Sequence, residues 1–273
     1  MINRSQFAIL ESNKPITSVA LLITHFNRVK SLERLLLKLK ETGLTFKQLI
    51  VSDGGSRPEI LDEVQKLKLQ YNFTLITTPV NIGLGHTINV GVDAANTPYI
   101  LYIQEDFFPK HAFVEVLNNA LQIMDEEEEW DIIRFYSFPW AKFPYLNSYK
   151  KGFSEMLFRL RPWYINHHKF YVYSDHPHLR RKSFSDKFGR HLEILDADKT
   201  ELSMCRSFLK QKGRGLYYED YTELFEHKNS QEEPGQERPH KQKMKKYAEI
   251  KALYWFYLKY KTFKETVDYI FDI

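Results

Sequence analysis

The sequence predicts an α/β protein: a mostly parallel sheet flanked by helices. Three observations carry this. Short apolar runs alternate with stretches at helical spacing through the first half of the chain. The apolar runs are continuous rather than alternating, as in strands buried on both faces. Polar residues gather just past the ends of those runs, where open α/β sheets bind their ligands.

The elements follow in order. Residues 18–24 (SVALLIT) form the first strand. Over residues 28–42, Leu32, Leu35, Leu36 and Leu39 recur at helical spacing, and Gly43 stands where the helix ends. Residues 47–52 make a second strand that stops at Asp53-Gly54-Gly55-Ser56. Ile60, Val64 and Leu67 mark a second helix, and residues 73–77 a third strand. The loop Asn81-Ile82-Gly83-Leu84-Gly85 enters a helix through Val92 and Ala95. Residues 99–103 form a fourth strand ended by Gln104-Glu105-Asp106. Phe113, Val116, Leu117, Ala120 and Met124 give an amphipathic helix, and residues 131–136 a fifth strand. The second half is less regular. Aromatic side chains crowd residues 137–173, a helix is expected over 198–213, and a short strand over 215–218. The tail from Lys241 is basic and aromatic.

Composition narrows the class. The 273 residues, 43% of them hydrophobic, suffice for a large core, and 27% charge excludes a membrane bundle. A net charge of +4 is too small to indicate nucleic acid. The lone Cys205 excludes an intramolecular disulfide and a cysteine-based zinc site, and fits a reducing cytoplasm. The N-terminal stretch has no apolar core of signal-peptide length, and no run approaches the roughly 18 apolar residues that span a bilayer. A membrane would be met from its surface.

Two features bear on chemistry. The Asn81–Gly85 loop follows the third strand and lacks a third glycine, so it is not a dinucleotide fingerprint. Glu105 and Asp106 are adjacent acids at the mouth of a buried strand, a costly arrangement unless a cation or partner offsets it. Mg²⁺ or Mn²⁺ suits such carboxylates. A solvated strand end or a helix cap explains them equally well, and both readings stay open on spacing alone.

Four segments in sequence then carry a resemblance: SVALLITHFNR (18–28), IVSDGGS (50–56), NIGLGHTINVG (81–91) and YILYIQED (99–106). In order and spacing they resemble the motifs of family 2 glycosyltransferases of the GT-A fold, over roughly the first 110 residues. The resemblance implies a nucleotide-sugar donor, a divalent metal (Mn²⁺ or Mg²⁺) and a single inverting displacement. It assigns Thr24, Phe26, Asn27 and Arg28 to the loop lining the nucleotide, Asp53 to the base or ribose, and Gly83 and Glu105 to donor binding, with turn and packing chemistry an equal reading of Gly83; His86 or Arg28 supplies the pyrophosphate contact that the family's arginine makes. Asp106 becomes the metal ligand, with His227 as a second ligand to metal or diphosphate. Three positions depart from the pattern. Gln104 replaces the first acid of the DXD motif, Ile88 stands where an arginine is frequent, and Leu202 falls on the usual base.

The base role therefore passes to Asp198 or Glu201, with Glu219-Asp220 as the rival pair and helix capping as the ordinary role of the first two. His176, His178, Arg180 and Arg181 are further phosphate candidates, and Trp140 or Trp163 candidates for touching acceptor. Residues 1–236 read as the GT-A domain, with a donor half at about 17–136 and an acceptor half at about 137–230; residues 237–273 read as the tail.

The implied partners are a nucleotide-sugar donor and a glycan or lipid-linked glycan acceptor, as in bacterial surface polysaccharide or lipopolysaccharide synthesis. An anionic membrane surface and ordinary packing are equal readings of the tail. The expected place is the cytoplasm, including the inner face of the membrane. Two rivals stand beside the enzyme. A sugar nucleotidyltransferase is disfavoured because the loop Thr24–Arg28 holds no glycine, and a degenerate GT-A binding module is suggested by Gln104 and Leu202.

Overall fold

The computed structural model describes residues 15–161, 164–229, 233 and 251–271. The first half is the expected alternation. β1 (Ile16–His25), α1 (Val29–Thr42), β2 (Phe46–Asp53), α2 (Pro58–Tyr71), β3 (Thr74–Thr77), α3 (Leu84–Ala94) and β4 (Tyr99–Gln104) follow one another. β1 pairs in parallel with β2 and β4, and β2 with β3. Val19 through Ile23 are completely buried, as continuous apolar runs require. Truncating one of them, Leu22→Ala, would cost roughly 2–5 kcal/mol. α1 turns Leu32, Leu35, Leu36 and Leu39 to the core and ends at Gly43 in the left-handed conformation, φ 75°.

Beyond β4 come β5 (Phe107–Pro109), α4 (Ala112–Glu126), β6 (Ile132–Arg134), β7 (Leu146–Ser148), β8 (Phe153–Met156) and β9 (His178–Arg181). α5 (Phe184–Phe188), α6 (Ala197–Lys210), β10 (Gly215–Tyr218), β11 (Phe225–His227) and α7 (Lys251–Phe271) complete the described elements. The main sheet among the described residues runs β3-β2-β1-β4-β9-β6-β10-β8-β7, and β5 with β11 forms a separate ribbon.

The sheet is mixed rather than uniformly parallel. β9 enters antiparallel between β4 and β6, and β8 and β7 extend the far edge antiparallel. This corrects one expectation. His178 and Arg180 are not phosphate contacts: both are interior residues of a central strand, 1% exposed. Arg181 is spent on the carbonyls of Trp130, Met124 and Glu127. The expected strand over 131–136 is shorter, Ile132–Arg134: beyond it the Phe135 amide bonds the Pro177 carbonyl in the loop before β9.

α7 rests on the second half through Tyr269, whose ring meets Phe158 and Phe170, and through Asp268, an ion-pair partner of Arg206 at 2.6 Å. Its outer face leaves Trp255, Phe256, Tyr260 and Phe263 exposed. No described helix is long and apolar enough to cross a membrane. Residues 241–250 and Trp163 lie outside the described residues.

Candidate active site

The sheet's topology brings two loops together at the carboxyl ends of β1 and β2. Asp53 ends β2 fully buried. Its Oδ1 accepts from Gly55 N, Ser56 N and Thr77 Oγ1, and its Oδ2 from the Ser56 hydroxyl. His25 Nδ1 lies 2.7 Å from Oδ2, while His25 Nε2 accepts from the Arg28 amide. Those two partners fix the tautomer with the proton on Nδ1. Burial alone would raise the Asp53 pKa, but the hydrogen bonds from His25 and Ser56 outweigh it and hold the carboxyl below its ordinary value.

The other donor-loop residues divide by role. Asn27 has φ 55° and braces the neighbouring loop, accepting from Arg57 N and donating its own amide to Ser56 Oγ. Thr24 is buried against the Tyr102 hydroxyl at 3.0 Å, and Phe26 is exposed at the mouth. Arg28 points the other way, to the end of β4. Its Nη1 lies 3.2 Å from Glu105 Oε1 and 3.1 Å from Asp106 Oδ2, and its Nη2 donates to Asn229.

β5 and β11 then place His227. Register pairs it with Phe107, and its Nε2 sits 3.3 Å from Asp106 Oδ2. Arg28, Glu105, Asp106 and His227, distant in sequence, thus form one cluster. Burial and the neighbouring Asp106 charge push Glu105 up to about 7. Burial works in the same direction on Asp106, but His227 and Arg28 overcome it and keep Asp106 ionised below the usual range. Asp106 Oδ1 is sealed from solvent, and among the described residues it has no hydrogen-bond partner.

No three His, Cys, Asp or Glu side chains among the described residues are grouped as a ready metal site. Mg²⁺ and Mn²⁺ do not require one, since substrate phosphates and water complete their shells. The free Oδ1 of Asp106 and the imidazole of His227 are chemically suited to hold such an ion.

Other expected residues lie elsewhere. Gly83, φ +112°, packs against the segment before α6: a Cβ there would fall 1.9 Å from the Ile194 carbonyl oxygen. His86 pairs with Glu193 at 2.8 Å, and Asn89 holds His191 and Glu193. The Asn81–Gly91 motif therefore joins α3 to the 191–195 segment, and neither Gly83 nor His86 contacts the acidic cluster. On α6 the cap is Asp196, which accepts from Lys199 N, so neither Asp198 nor Glu201 serves as N-cap. Asp198 is exposed in the first turn. Glu201 Oε1 accepts from Ser174 Oγ at 2.8 Å and Asp175 N at 3.1 Å, fastening the loop that carries His176. Glu219 bonds Ser154, and Asp220 is exposed.

The geometry can now be set beside known proteins. A family model, glycosyl transferase family 2, matches residues 20–189, more than half of the chain. The chain belongs to glycosyl transferase family 2. It is 28% identical over 101 residues to a cholesterol galactosyltransferase of Borreliella burgdorferi, a match spanning 37% of this chain and 28% of that protein's length. Its fold is similar to S. aureus TarS 1–349 in complex with UDP-GlcNAc, with TM-score 0.57, 18% identity, and coverage of 78% of this chain and 60% of that one. A longer TarS crystal structure gives TM-score 0.56 and 17% identity, covering 78% of this chain and 37% of that one. The family 2 chain therefore has the GT-A fold, and spans well under two thirds of these relatives.

Several residues of the site escaped sequence reading. His25 organises Asp53 from inside the first motif, Asn229 meets Arg28, and Glu233 accepts from the amides of Lys30 and Ser31 at the start of α1, each 2.8 Å away. His25 was findable, since it stands in the motif itself. Asn229 and Glu233 follow His227 without any pattern of their own.

Proposed function

We propose that this chain moves a sugar from a nucleotide-sugar donor to a saccharide or lipid-linked saccharide acceptor, inverting the anomeric carbon in one displacement. The observation that carries the reading is the convergence of Arg28, Glu105, Asp106 and His227, with Asp106 Oδ1 buried and unpartnered among the described residues. Such a group needs a cation or donor ligand. The UDP-GlcNAc complex of TarS and the galactosyltransferase relative support a nucleotide-sugar donor.

The chain's own residues divide the work. Loops 24–28 and 53–57, locked by Asp53, His25 and Ser56, give the nucleoside a preformed seat. Arg28 supplies a fixed positive charge facing the diphosphate side. Asp106 and His227 would hold Mn²⁺ or Mg²⁺, which when bound offsets the charge of the departing diphosphate. The acceptor oxygen bonds to the anomeric carbon as its bond to the diphosphate oxygen breaks, and a carboxylate takes the acceptor's proton. Glu201 is the stronger candidate because it is fastened to the loop bearing His176, whose ring packs against Phe138 beside His227. Asp198, one turn earlier on α6, is the second.

Residues 1–236 act as the transferase unit in this reading, and 237–273 as an accessory tail. The exposed aromatic face of α7 and the lysines at 241–251 suit an anionic membrane surface at the inner face, where lipid-linked acceptors lie.

A thermal-shift panel of UDP-, GDP-, dTDP- and CMP-sugars with and without Mn²⁺ tests the proposal. One nucleotide class is expected to raise Tm in a Mn²⁺-enhanced manner, with slow release of nucleoside diphosphate. No response to any of them contradicts it.

A further inference from the structure

Downstream of β6 the chain builds a short rigid turn. Ala141 N donates to Phe138 O at 2.9 Å, and Ser137, fully buried, donates its hydroxyl to Ala141 O at 3.0 Å. The turn holds Trp140 outward with 70% of its surface exposed. Indole is normally buried, and here neighbouring apolar surface does not cover it. One face is nonetheless ordered: Trp140 stacks on Phe138, centroids 4.6 Å apart and planes 8° from parallel.

Phe138 belongs to a cage of rings. It meets His176 edge-on at 4.8 Å and His227 at 5.2 Å, and Phe107 and Tyr136 close the cage behind them. His227 leads directly to Asp106. The outer face of Trp140 is thus two ring contacts from the donor cluster, about the breadth of one or two sugar rings. Within the cage, His176 Nδ1 is sealed from solvent, and among the described residues it has no hydrogen-bond partner.

We infer that Trp140, backed by Phe138, is the stacking platform for the terminal pyranose of a saccharide acceptor. A pyranose has an apolar face of axial C–H groups that fits a flat indole, and equatorial hydroxyls that fit polar groups at the rim. The inference rests on the glycosyltransferase reading for its direction, since it takes the sugar bound there as acceptor.

The test uses full-length protein labelled with 5-fluorotryptophan. The chain has four tryptophans, and Trp140→Phe identifies the Trp140 resonance by its loss. Methyl glycosides of glucose, galactose, N-acetylglucosamine and rhamnose are titrated as probes. At least one is expected to move the Trp140 resonance, while the winning nucleotide sugar leaves it in place. With that glycoside as acceptor, Trp140→Ala should raise acceptor KM about tenfold or more, Trp140→Phe should recover most of it, and donor KM should be unchanged. A Trp140 resonance that ignores every glycoside, or a donor KM that rises in parallel, overturns the platform. A wild-type protein that binds no nucleotide sugar defeats the transferase reading, yet leaves the glycoside titration to speak separately for the platform.

Discussion

The loops at the ends of β1, β2 and β4 and the ring cage beyond β6 are held by different forces. In the loops hydrogen bonds and ions do the holding: Asp53 is bound by His25, Ser56, Gly55 and Thr77, and Arg28 bridges to Glu105 and Asp106. In the cage the contacts are rings: Tyr136, Phe138, His176 and His227 meet edge to face, and Trp140 stacks on Phe138. A hydrogen-bonded loop is specific about geometry and tolerates little substitution. A ring cage fixes a cavity's walls while leaving its chemistry adaptable. Under the proposed reading, the hydrogen-bonded loops take the nucleotide and the ring cage takes the acceptor sugar.

The sharpest way to break this division lies at the seam between the halves. Glu201→Gln should lower turnover about 10²–10⁴-fold with donor affinity intact, because the proposed base acts on the acceptor hydroxyl and not on the nucleotide. Asp220→Asn should leave turnover near wild type. The reverse pattern would move the acceptor site to the neighbourhood of Tyr218 and Tyr221.

The next largest effect concerns stability. Gly83→Ala would press a Cβ against the Ile194 carbonyl at a φ that L-residues avoid, so a loss of about 2–4 kcal/mol is expected in denaturant unfolding. An unchanged midpoint would mean that the Asn81–Gly91 motif does not join the halves rigidly and is free to serve a ligand.

A pH profile sharpens the picture of α7. Burial pushes Glu265 up to about 7 from an ordinary value of 4.5, against the opposing pull of Lys261. The folded protein therefore holds this proton more tightly than the unfolded chain does. Stability from the protonated form is present at low pH and is lost as pH rises from about 4.5 through 7. Glu265→Gln should flatten that decline in Tm; an identical slope in the variant would remove Glu265 as its cause.

The smallest effect expected is at the membrane. Trp255→Ser with Phe256→Ser should weaken binding to phosphatidylglycerol vesicles, most visibly at low salt. Wild-type protein that ignores such vesicles at every ionic strength would make α7 plain packing.

What the sequence could reveal follows the same division. β1, β2, β4 and α1 were legible from continuous apolar runs and helical spacing, and so was the gathering of polar residues past the strand ends at Thr24–Arg28, Asp53 and Glu105-Asp106. The convergence on His227 depended on resemblance. β9 was missed since His178-Leu179-Arg180-Arg181 reads as a polar stretch, and only a central antiparallel position makes those side chains interior. The ring cage was illegible because Phe107, Tyr136, Phe138, His176 and His227 meet only after the ribbon of β5 and β11 has formed. Gly83 and His86 misled because a glycine-bearing turn before a helix suits a phosphate and a close backbone contact equally well.

The central claim is that the Asp106 cluster binds the diphosphate end of a nucleotide sugar. Isothermal titration of the winning nucleotide sugar in Mn²⁺, into wild type and Asp106→Asn, tests it most directly. The account predicts that wild type binds and that the variant, still folded with an unchanged Tm, loses at least about tenfold in affinity together with the Mn²⁺ dependence. Equal affinity in the two proteins would contradict it.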